Sequence, residues 1–368
     1  MLRHKLIAAG ACVTAFALGV AAATSRNPSV FVNGQRLSDT AYNIDDRVYI
    51  PLRAVAESMG AEVSWSDSEY AAFIEMTEDD RITKVVEQVS PSVVALAGSY
   101  NGSSTATVHG SGVVIKPNGT ILTNAHVVES MENITVVLYD GQTLAGRVLY
   151  SDKTADLAVV KIEKLGMKPI SFAKADGIST GQTAIAIGTP ISLTMRNSAT
   201  KGIVSGKDVA VSGQHYKYLQ TDASINSGNS GGPLVNTRGE LIGINTRGFA
   251  AYYAENVGFA IPVDTVEYAL GQFEKNGRII RPELDMTLEQ PWAATIGLPT
   301  TEGLTVRSSN DASITVGDIV TRIGGIEVHS MQDVNEALKK TYAGGGTVNV
   351  RYLHGGEAAE ADAAVKEK

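Results

Sequence analysis

Three short segments of the sequence place a histidine, an aspartate and a serine where they could act together: Thr123-Asn-Ala-His126, Asp156-Leu-Ala-Val159 and Gly228-Asn-Ser-Gly-Gly-Pro233. A serine hydroxyl is a weak nucleophile at neutral pH, so a base must take its proton as it attacks, and neutral imidazole suits that task. His126 supplies the imidazole. It has to present its acceptor nitrogen to Ser230, and a carboxylate accepting from the other nitrogen holds that tautomer and stabilises the imidazolium formed. Asp156 fits that role. Glycines around Ser230 let the backbone turn sharply enough for the amides of Gly228 and Ser230 to face one developing oxyanion. Taken singly, each segment has an ordinary structural explanation, as a satisfied histidine, a local aspartate cap or a glycine-rich turn. Their order, His then Asp then Ser, within one β-rich stretch is what joins them.

The elements that must position these groups follow from hydrophobic patterning. From Val93 to Val263 short apolar runs alternate with turn signals: Val113 to Ile115, then Pro117-Asn118-Gly119, then Ile121 to Thr123; Ile134 to Leu138 before Asp140-Gly141; Ala184 to Ile187; Leu241 to Thr246; Val257 to Ile261. Many short strands punctuated in this way imply an all-β barrel pair or sandwich. A helix is expected to close the stretch, with Asp264 and Glu267 at capping-box spacing and Val266, Ala269, Leu270 and Phe273 on one face up to Gly277. Residues 280–365 read as a further α+β unit. It has strands at Gly303 to Val306, Asp318 to Ile323, Glu327 to Val328 and Thr347 to Tyr352, and a helix from Met331 to Lys340 after a Ser330 cap. The Ala- and Glu-rich end from Gly356 is expected to fray. Towards the N-terminus, residues 29–76 form a small separate α+β unit, with strands at Val30 to Val32 and Val48 to Ile50 and a turn at Asn33-Gly34. Pro51 opens a helix there, Leu52, Val55, Ala56 and Met59 share its face, and Gly60 ends it.

Residues 82–265 carry Thr-Asn-Ala-His-Val-Val, Ala-Asp-Leu-Ala-Val, Gln-Thr-Asp-Ala-Ser-Ile-Asn-Ser-Gly-Asn-Ser-Gly-Gly-Pro-Leu-Val-Asn and Val-Gly-Phe-Ala-Ile-Pro, and these resemble the HtrA (DegP/DegS-like) serine proteases. The resemblance implies a mainly β, chymotrypsin-like double β-barrel domain over residues 81–275 with the site in the cleft between barrels. It assigns His126, Asp156 and Ser230 as catalytic and Gly228 with Ser230 as oxyanion donors. Ser227 stands where the family often has proline. Six residues before Ser230, where a trypsin-like enzyme would carry an acid for Lys or Arg, this chain has Ser224 followed by Ile225, so the pocket should accept Val, Ala, Ile or Leu. Ile244, Asn245 and Thr246 resemble the strand that pairs with substrate backbone, which requires an extended chain and points to unfolded or flexible polypeptides. Residues 280–365 resemble a PDZ domain, most specifically in Val316-Gly-Asp-Ile-Val and Ile323-Gly-Gly-Ile-Glu-Val. Asp285 stands where the carboxylate-binding loop usually has glycine, and its charge should repel a peptide C-terminus. Residues 29–75 resemble the copper amine oxidase N-terminal domain, but show no ligand set for copper, so a spacer or attachment role is expected. The family is often homotrimeric, and the loop Ser99 to His109, in the region that supplies trimer contacts, is short here.

Composition narrows the classes further. With 368 residues the chain can hold two or three cores, and its single cysteine, Cys12, leaves no internal disulfide. The net charge of -8 and the absence of any Lys/Arg stripe argue against nucleic acid as partner. No cofactor or metal is called for. Arg3, His4 and Lys5 precede an uncharged run from Leu6 to Ala23, so residues 1–24 read either as a cleaved secretory signal or as a retained membrane anchor. In both cases the rest of the chain is exported, and membrane contact arises only with the anchor. A serine endopeptidase of the cell envelope is the expectation, against a catalytically silent chaperone or a cell-wall attachment protein on the same fold.

Overall fold

The computed structural model describes residues 28–32, 35–75, 78–100, 107–246 and 256–368. The expected signal or anchor segment, the Asn33-Gly34 turn and most of the loop after Ser99 lie outside the described residues. The chain divides into two compact units that meet in sequence at Lys84 and Val85. In the first unit, hairpins β1 (Phe31–Val32) with β2 (Gln35–Arg36) and β3 (Tyr42–Ile44) with β4 (Arg47–Tyr49) precede helix α1 (Leu52–Ser58) and the hairpin of β5 (Glu62–Ser66) with β6 (Ala71–Glu75). Pro51 precedes α1, and Gly60 follows it at φ +95°, a conformation glycine adopts without a Cβ penalty. Arg53 Nη1 ties α1 to β5 by donating to Val63 O at 2.6 Å.

Helix α2 (Glu78–Val89) leads into a first barrel of β7 (Val93–Tyr100), β8 (Thr107–Lys116), β9 (Thr120–Thr123), β10 (Met131–Val137), β11 (Thr143–Ala145), β12 (Arg147–Asp152) and β13 (Leu157–Lys161), with helix α3 (Ala125–Glu129) between β9 and β10. The strand order is β11-β10-β7-β8-β9-β13-β12. Gly146 joins β11 to β12 and donates its N–H to Ile134 O at 2.8 Å, so residues 143–152 act as one bent strand that pairs β10 at one end and β13 at the other. That closes the barrel. A Cβ on Gly146 would stand 3.0 to 3.1 Å from Ile134, Val136 and Val160, which is why the bend is made at a glycine. Leu96, Val114, Ile121, Val136, Ala158 and Val160 fill the interior.

The second barrel uses β14 (Ser171–Phe172), β15 (Thr183–Gly188), β16 (Ser198–Val209), β17 (Tyr218–Thr221), β18 (Pro233–Val235), β19 (Glu240–Thr246) and β20 (Gly258–Pro262), in the order β14-β19-β18-β15-β16-β17-β20, and pairing of β19 with β20 closes the ring. Its core is Ala184, Ala186, Val204, Leu219, Leu234 and Ile242 with their neighbours. In β15, Ala184 and Ala186 face this core, so Ile185 and Ile187, also fully buried, face the other way, where β15 lies against β7 and β8 of the first barrel. The architecture is thus mainly β, as expected.

Helix α4 (Val263–Asn276) follows and ends at Gly277, φ +73°. Its start differs from the expected capping box: Pro262 precedes it, no side chain caps it, and Asp264 faces Lys339 instead. The last part of the chain forms β21 (Pro282–Leu284), β22 (Met286–Glu289), helix α5 (Trp292–Thr295), β23 (Leu304–Ser309), β24 (Ile319–Ile323), β25 (Ile326–Glu327), helix α6 (Met331–Thr341), β26 (Thr347–His354) and β27 (Glu357–Glu367). Ser330 caps α6 in a reciprocal box with Asp333. The expected fraying after Gly356 does not occur. β27 pairs with β26 over eight residues and with β21 beyond, and it buries Ala363 and Val365. Asp285 also departs from expectation. Its carboxylate accepts from Asn310 Nδ2 at 2.7 Å and faces Lys366 Nζ at 2.5 Å, so the charge expected to repel a C-terminus is already countered.

One polar face of α6 docks on the second barrel. Gln332 donates to Val211 O and Gln214 O, Asn335 to His215 O at 2.9 Å, and Glu336 accepts from Lys217 N–H at 3.1 Å. Lys339, almost wholly buried, meets Glu336 at 2.7 Å, Asp264 at 3.1 Å and Thr265 Oγ1 at 2.7 Å. Burial pushes the His215 imidazole down to about 4 from the ordinary 6.5, with Arg281 adding to the effect and Glu283 and Asp152 opposing it. A histidine with a lowered folded pKa takes up its proton more readily when unfolded, so its contribution is complete above about pH 6.5 and is lost as pH falls through about 4. Unfolding free energies from urea titrations at stepped pH between these limits should fall further for the native chain than for His215→Gln, by about 1 to 2 kcal/mol once partial exposure is allowed for.

Candidate active site

His126 lies on α3, in the first turn after β9, and Asp156 lies in the turn from β12 to β13. The turn is held by Asp152, which accepts from Ala155 N–H at 2.8 Å and pairs with Arg281. Asp156 itself takes φ +51°, a left-handed conformation that costs a non-glycine residue of order 1 kcal/mol. What holds it there is its own hydrogen bonding. Oδ1 accepts from His126 N–H at 3.1 Å and from Nδ1 at 2.8 Å, while Oδ2 is 2.9 Å from the same Nδ1 and accepts from Thr246 Oγ1 at 2.9 Å. Its backbone carbonyl accepts from Asn124 Nδ2 at 2.9 Å. The imidazole is therefore fixed through Nδ1, which leaves Nε2 as the acceptor.

Ser230 is 4% exposed and sits in the loop that leads into β18 of the second barrel. The loop is bound to the first barrel at several points. Ser111 N–H donates to Ser230 O at 2.9 Å, and Ser111 Oγ donates to Gly228 O at 2.6 Å while accepting from Thr189 N–H at 2.9 Å. Gly231, at φ +84°, is packed so tightly that a Cβ would lie 2.2 Å from both Ser111 O and Thr123 Oγ1, and 3.2 Å from Asn124 N. Ser230 is thereby brought to the end of β9, three residues before His126.

Gly228 stands at φ +101°, and a Cβ there would lie 2.0 Å from Thr189 O, so no other residue fits. The Ser227 carbonyl accepts from Ile191 N–H at 2.9 Å, and Asn229 N–H donates to Asn226 O at 3.0 Å. In a trans peptide the C=O and N–H point to opposite sides. Anchoring Ser227 O on Ile191 therefore turns the Gly228 N–H away from Ile191. Asn229 is buried, and its Nδ2 donates to Ser224 O at 3.3 Å, which links the loop to the expected pocket wall. Ile225 is half-buried against the second core and lies over Gly258, where a Cβ would stand 2.7 Å from its Cγ1. The nearest acid in sequence, Asp222, accepts from Ile203 N–H at 2.6 Å.

Ile244, Asn245 and Thr246 are not where a substrate strand could add. On one edge Asn245 exchanges 2.9 Å hydrogen bonds with Gly231 and Gly232, and on the other β19 pairs with β20 at Ile244↔Ile261, Asn245↔Ala260 and Thr246↔Phe259. All three are interior to the barrel. Thr246 serves Asp156 instead, and the residues that follow it, 247–255, lie outside the described residues. Sequence reasoning also passed over Ser111. Its signal was the pair of strand glycines around it: a Cβ on Gly110 would be 2.6 Å from Val127 and one on Gly112 2.7 Å from Ile121. Among the described residues no group of three His, Cys, Asp or Glu side chains could hold a metal.

Comparison with known proteins places this geometry. The trypsin-like peptidase domain family matches residues 110–244, the PDZ domain family 298–365 and the copper amine oxidase N-terminal domain family 31–90. A protein of Arabidopsis thaliana named Do-like protease 14 is 38% identical over 252 residues, 64% of this chain and 57% of its own length. The serine protease HhoB of Synechocystis is 34% identical, with 61% of its length covered, so the chain spans about three fifths of these two relatives. The HtrA-type protease AlgW, solved with a tripeptide, superposes with a TM-score of 0.64 at 28% identity, over 78% of this chain and 97% of that one. The Do-like serine protease HtrA of Bacillus subtilis is 33% identical over 320 residues, 76% of this chain and 71% of its own. With that identity over that share of a relative, the same pair of barrels and a PDZ domain behind them, the chain belongs to the HtrA (Do-like) family of serine proteases.

Proposed function

We propose that this protein is an endopeptidase that cuts unfolded or flexible polypeptides, with Ser230 as nucleophile, His126 as base and Asp156 as its orienting carboxylate. The observation that carries this is the Asp156 carboxylate, which holds His126 Nδ1 at 2.8 Å and is itself held by Thr246, beside a loop that presents Ser230. Ser230 Oγ attacks the scissile carbonyl carbon as His126 Nε2 removes its proton. The carbonyl oxygen gains negative charge and meets the Gly228 and Ser230 amides, the first of which the Ser227–Ile191 bond turns away from Ile191. His126 then returns the proton to the leaving amine, and water repeats the sequence on the acyl-enzyme. Ser224 and Ile225 offer no carboxylate to a basic side chain, and burying an unpaired Lys or Arg there would be costly, so cleavage follows Val, Ala, Ile or Leu. Export rests on residues 1–24 as signal or anchor, which puts the work in the cell envelope, where unfolded proteins are the natural substrates. Assembly into a homotrimer is taken from the family resemblance alone.

Purified Ser230→Ala should lose casein hydrolysis while keeping the native circular dichroism, since only a small hydroxyl is removed; hydrolysis near the native rate would end the assignment. Ser111→Ala should act through Gly228. Losing the hydroxyl leaves a buried carbonyl and amide unpaired, which costs about 1 to 3 kcal/mol of stability. The misplaced oxyanion donor should lower kcat by about 10- to 100-fold with KM little changed, as steady-state kinetics on a quenched peptide will show. Mass spectrometry of casein digests tests the pocket: most native cuts should follow small or medium aliphatic residues, and Ile225→Phe should move them towards Ala and Gly by about 1 to 3 kcal/mol against Val and Leu.

A further inference from the structure

A cavity of about 450 Å³ opens between three segments outside the cleft. One wall is Lys153 and Thr154, in the turn from β12 to β13 that carries Asp156. The second is Gly213, Gln214 and His215, just before β17, and the third is Asn335 of α6. Its volume lies in the range of small-molecule sites, but polar residues line it, so an occupant must be recognised by hydrogen bonds and charge. None of the six lining residues is acidic, and Lys153 is cationic.

The groups left free on these walls are mostly donors. Asn335 Nδ2 donates to His215 O at 2.9 Å, which identifies it as the amide nitrogen, and it also stands 3.3 Å from His215 Nδ1. A donor facing Nδ1 makes that nitrogen the acceptor, so the ring proton is on Nε2. Burial pushes the imidazole down to about 4, and near neutral pH the ring keeps this uncharged form. Nε2 has no hydrogen-bond partner among the described residues and is not one of their buried unpaired atoms, so it reaches the water of the cavity. Gln214 Oε1 accepts from Tyr218 O–H at 3.3 Å, which leaves the Gln214 Nε2 hydrogens unused. Thr154 Oγ1 likewise has no partner among the described residues. Lys153 Nζ lies 3.2 Å from Glu129, a contact that occupies one of the three donors of the ammonium. The carboxylates whose charge acts on His215, Glu283 and Asp152, are matched by Lys368 and Arg281.

We propose that this cavity is a binding site for a small oxyanion, an organic phosphate or carboxylate, which accepts from His215 Nε2, Gln214 Nε2 and Thr154 Oγ1 beside the charge of Lys153. Its occupant ties the turn that carries Asp156 to the loop that α6 holds. The test is calorimetric titration of the full chain near neutral pH in a zwitterionic buffer, with inorganic phosphate, glycerol 3-phosphate and citrate as probes and chloride at matched ionic strength as control. Binding is read without turnover, so its failure leaves the protease reading untouched. One equivalent per chain should bind, with a dissociation constant of about 1 mM or below. Glycerol 3-phosphate or phosphate binding more tightly than citrate identifies a phosphate ligand, and the reverse order identifies a carboxylate. His215→Leu and Thr154→Val should each weaken binding about tenfold, the worth of one hydrogen bond to a charged group. His215 also takes part in the docking of α6, so the deciding variant is Thr154→Asp, at an exposed residue outside that docking. Its added carboxylate should abolish binding while the melting temperature without ligand stays native. Heats no larger than those of chloride for all three probes, or binding that survives Thr154→Asp, overturn the proposal.

Discussion

The site depends on one residue of the first barrel gripping a loop of the second. Ser111 donates its N–H to Ser230 O and its hydroxyl to Gly228 O, while the hydroxyl accepts from Thr189 N–H. These bonds cross the cleft. His126 and Asp156 belong to one barrel and Ser230 to the other, so their registration is a matter of how the barrels are stitched together. With a single cysteine in the chain no internal disulfide can do this, and packing of β15 on β7 and β8 is joined by the Ser111 bonds and the Thr246–Asp156 bond. Each bond adds only about 1 kcal/mol net, but leaving either partner buried and unpaired costs more than that, which makes the contact intolerant of change.

Around that contact the backbone is held in conformations it would not choose alone. Asp156 at φ +51° and Ile191 at φ +61° are non-glycine residues in the left-handed region, and Gly228 at φ +101° is in a region open essentially to glycine. Each has a bond that exists because of the strain. The turned Asp156 gives its carboxylate to His126 and Thr246, and the turned Ile191 gives its N–H to Ser227 O. The last of these fixes the face on which the Gly228 amide is available. Strain of this kind persists where the surroundings over-determine it, and here they do so on both sides of the reacting bond.

Much of this was legible in the sequence because the necessary signals were local. The strand-and-turn rhythm from Val93 to Val263 gave a mainly β core, and Ser330 with the apolar periodicity after it gave helix α6. The glycines around Ser230 marked a loop under conformational demand. What escaped was set by partners distant in sequence. Asp264 has the spacing of a cap but is drawn to Lys339, seventy-five residues on. The Ala- and Glu-rich tail has low strand propensity, yet it pairs along β26, and tertiary pairing overrides such preferences. Ile244 and Asn245 look like any strand that could accept a partner, and only the closure of the second barrel by β20 shows that both edges are already taken. Ser111 carried its signal in flanking glycines, whose meaning as points of close approach needs the opposing surfaces of Val127 and Ile121.

The polar docking of α6 bears on the pocket through chain continuity. The residues that α6 holds, Val211 to Lys217, run directly into β17, and β17 ends at Thr221, three residues before Ser224 and four before Ile225. Lys339 sits at the centre of that docking with Glu336 and Asp264, both partly or wholly shielded from water. Separating such charges leaves each uncompensated in a poor solvent, at a cost of about 3 to 5 kcal/mol when one partner is removed. α6 therefore cannot slide on the barrel by small steps: the network is either made or broken as a whole. The wall of the proposed pocket is thus held from two directions, by Asn229 donating to Ser224 O from the Ser230 loop and by α6 holding the segment that leads to it. A pocket at the proposed place would select by shape, because retreat of either wall from a side chain one methylene too large would break a partly buried polar contact.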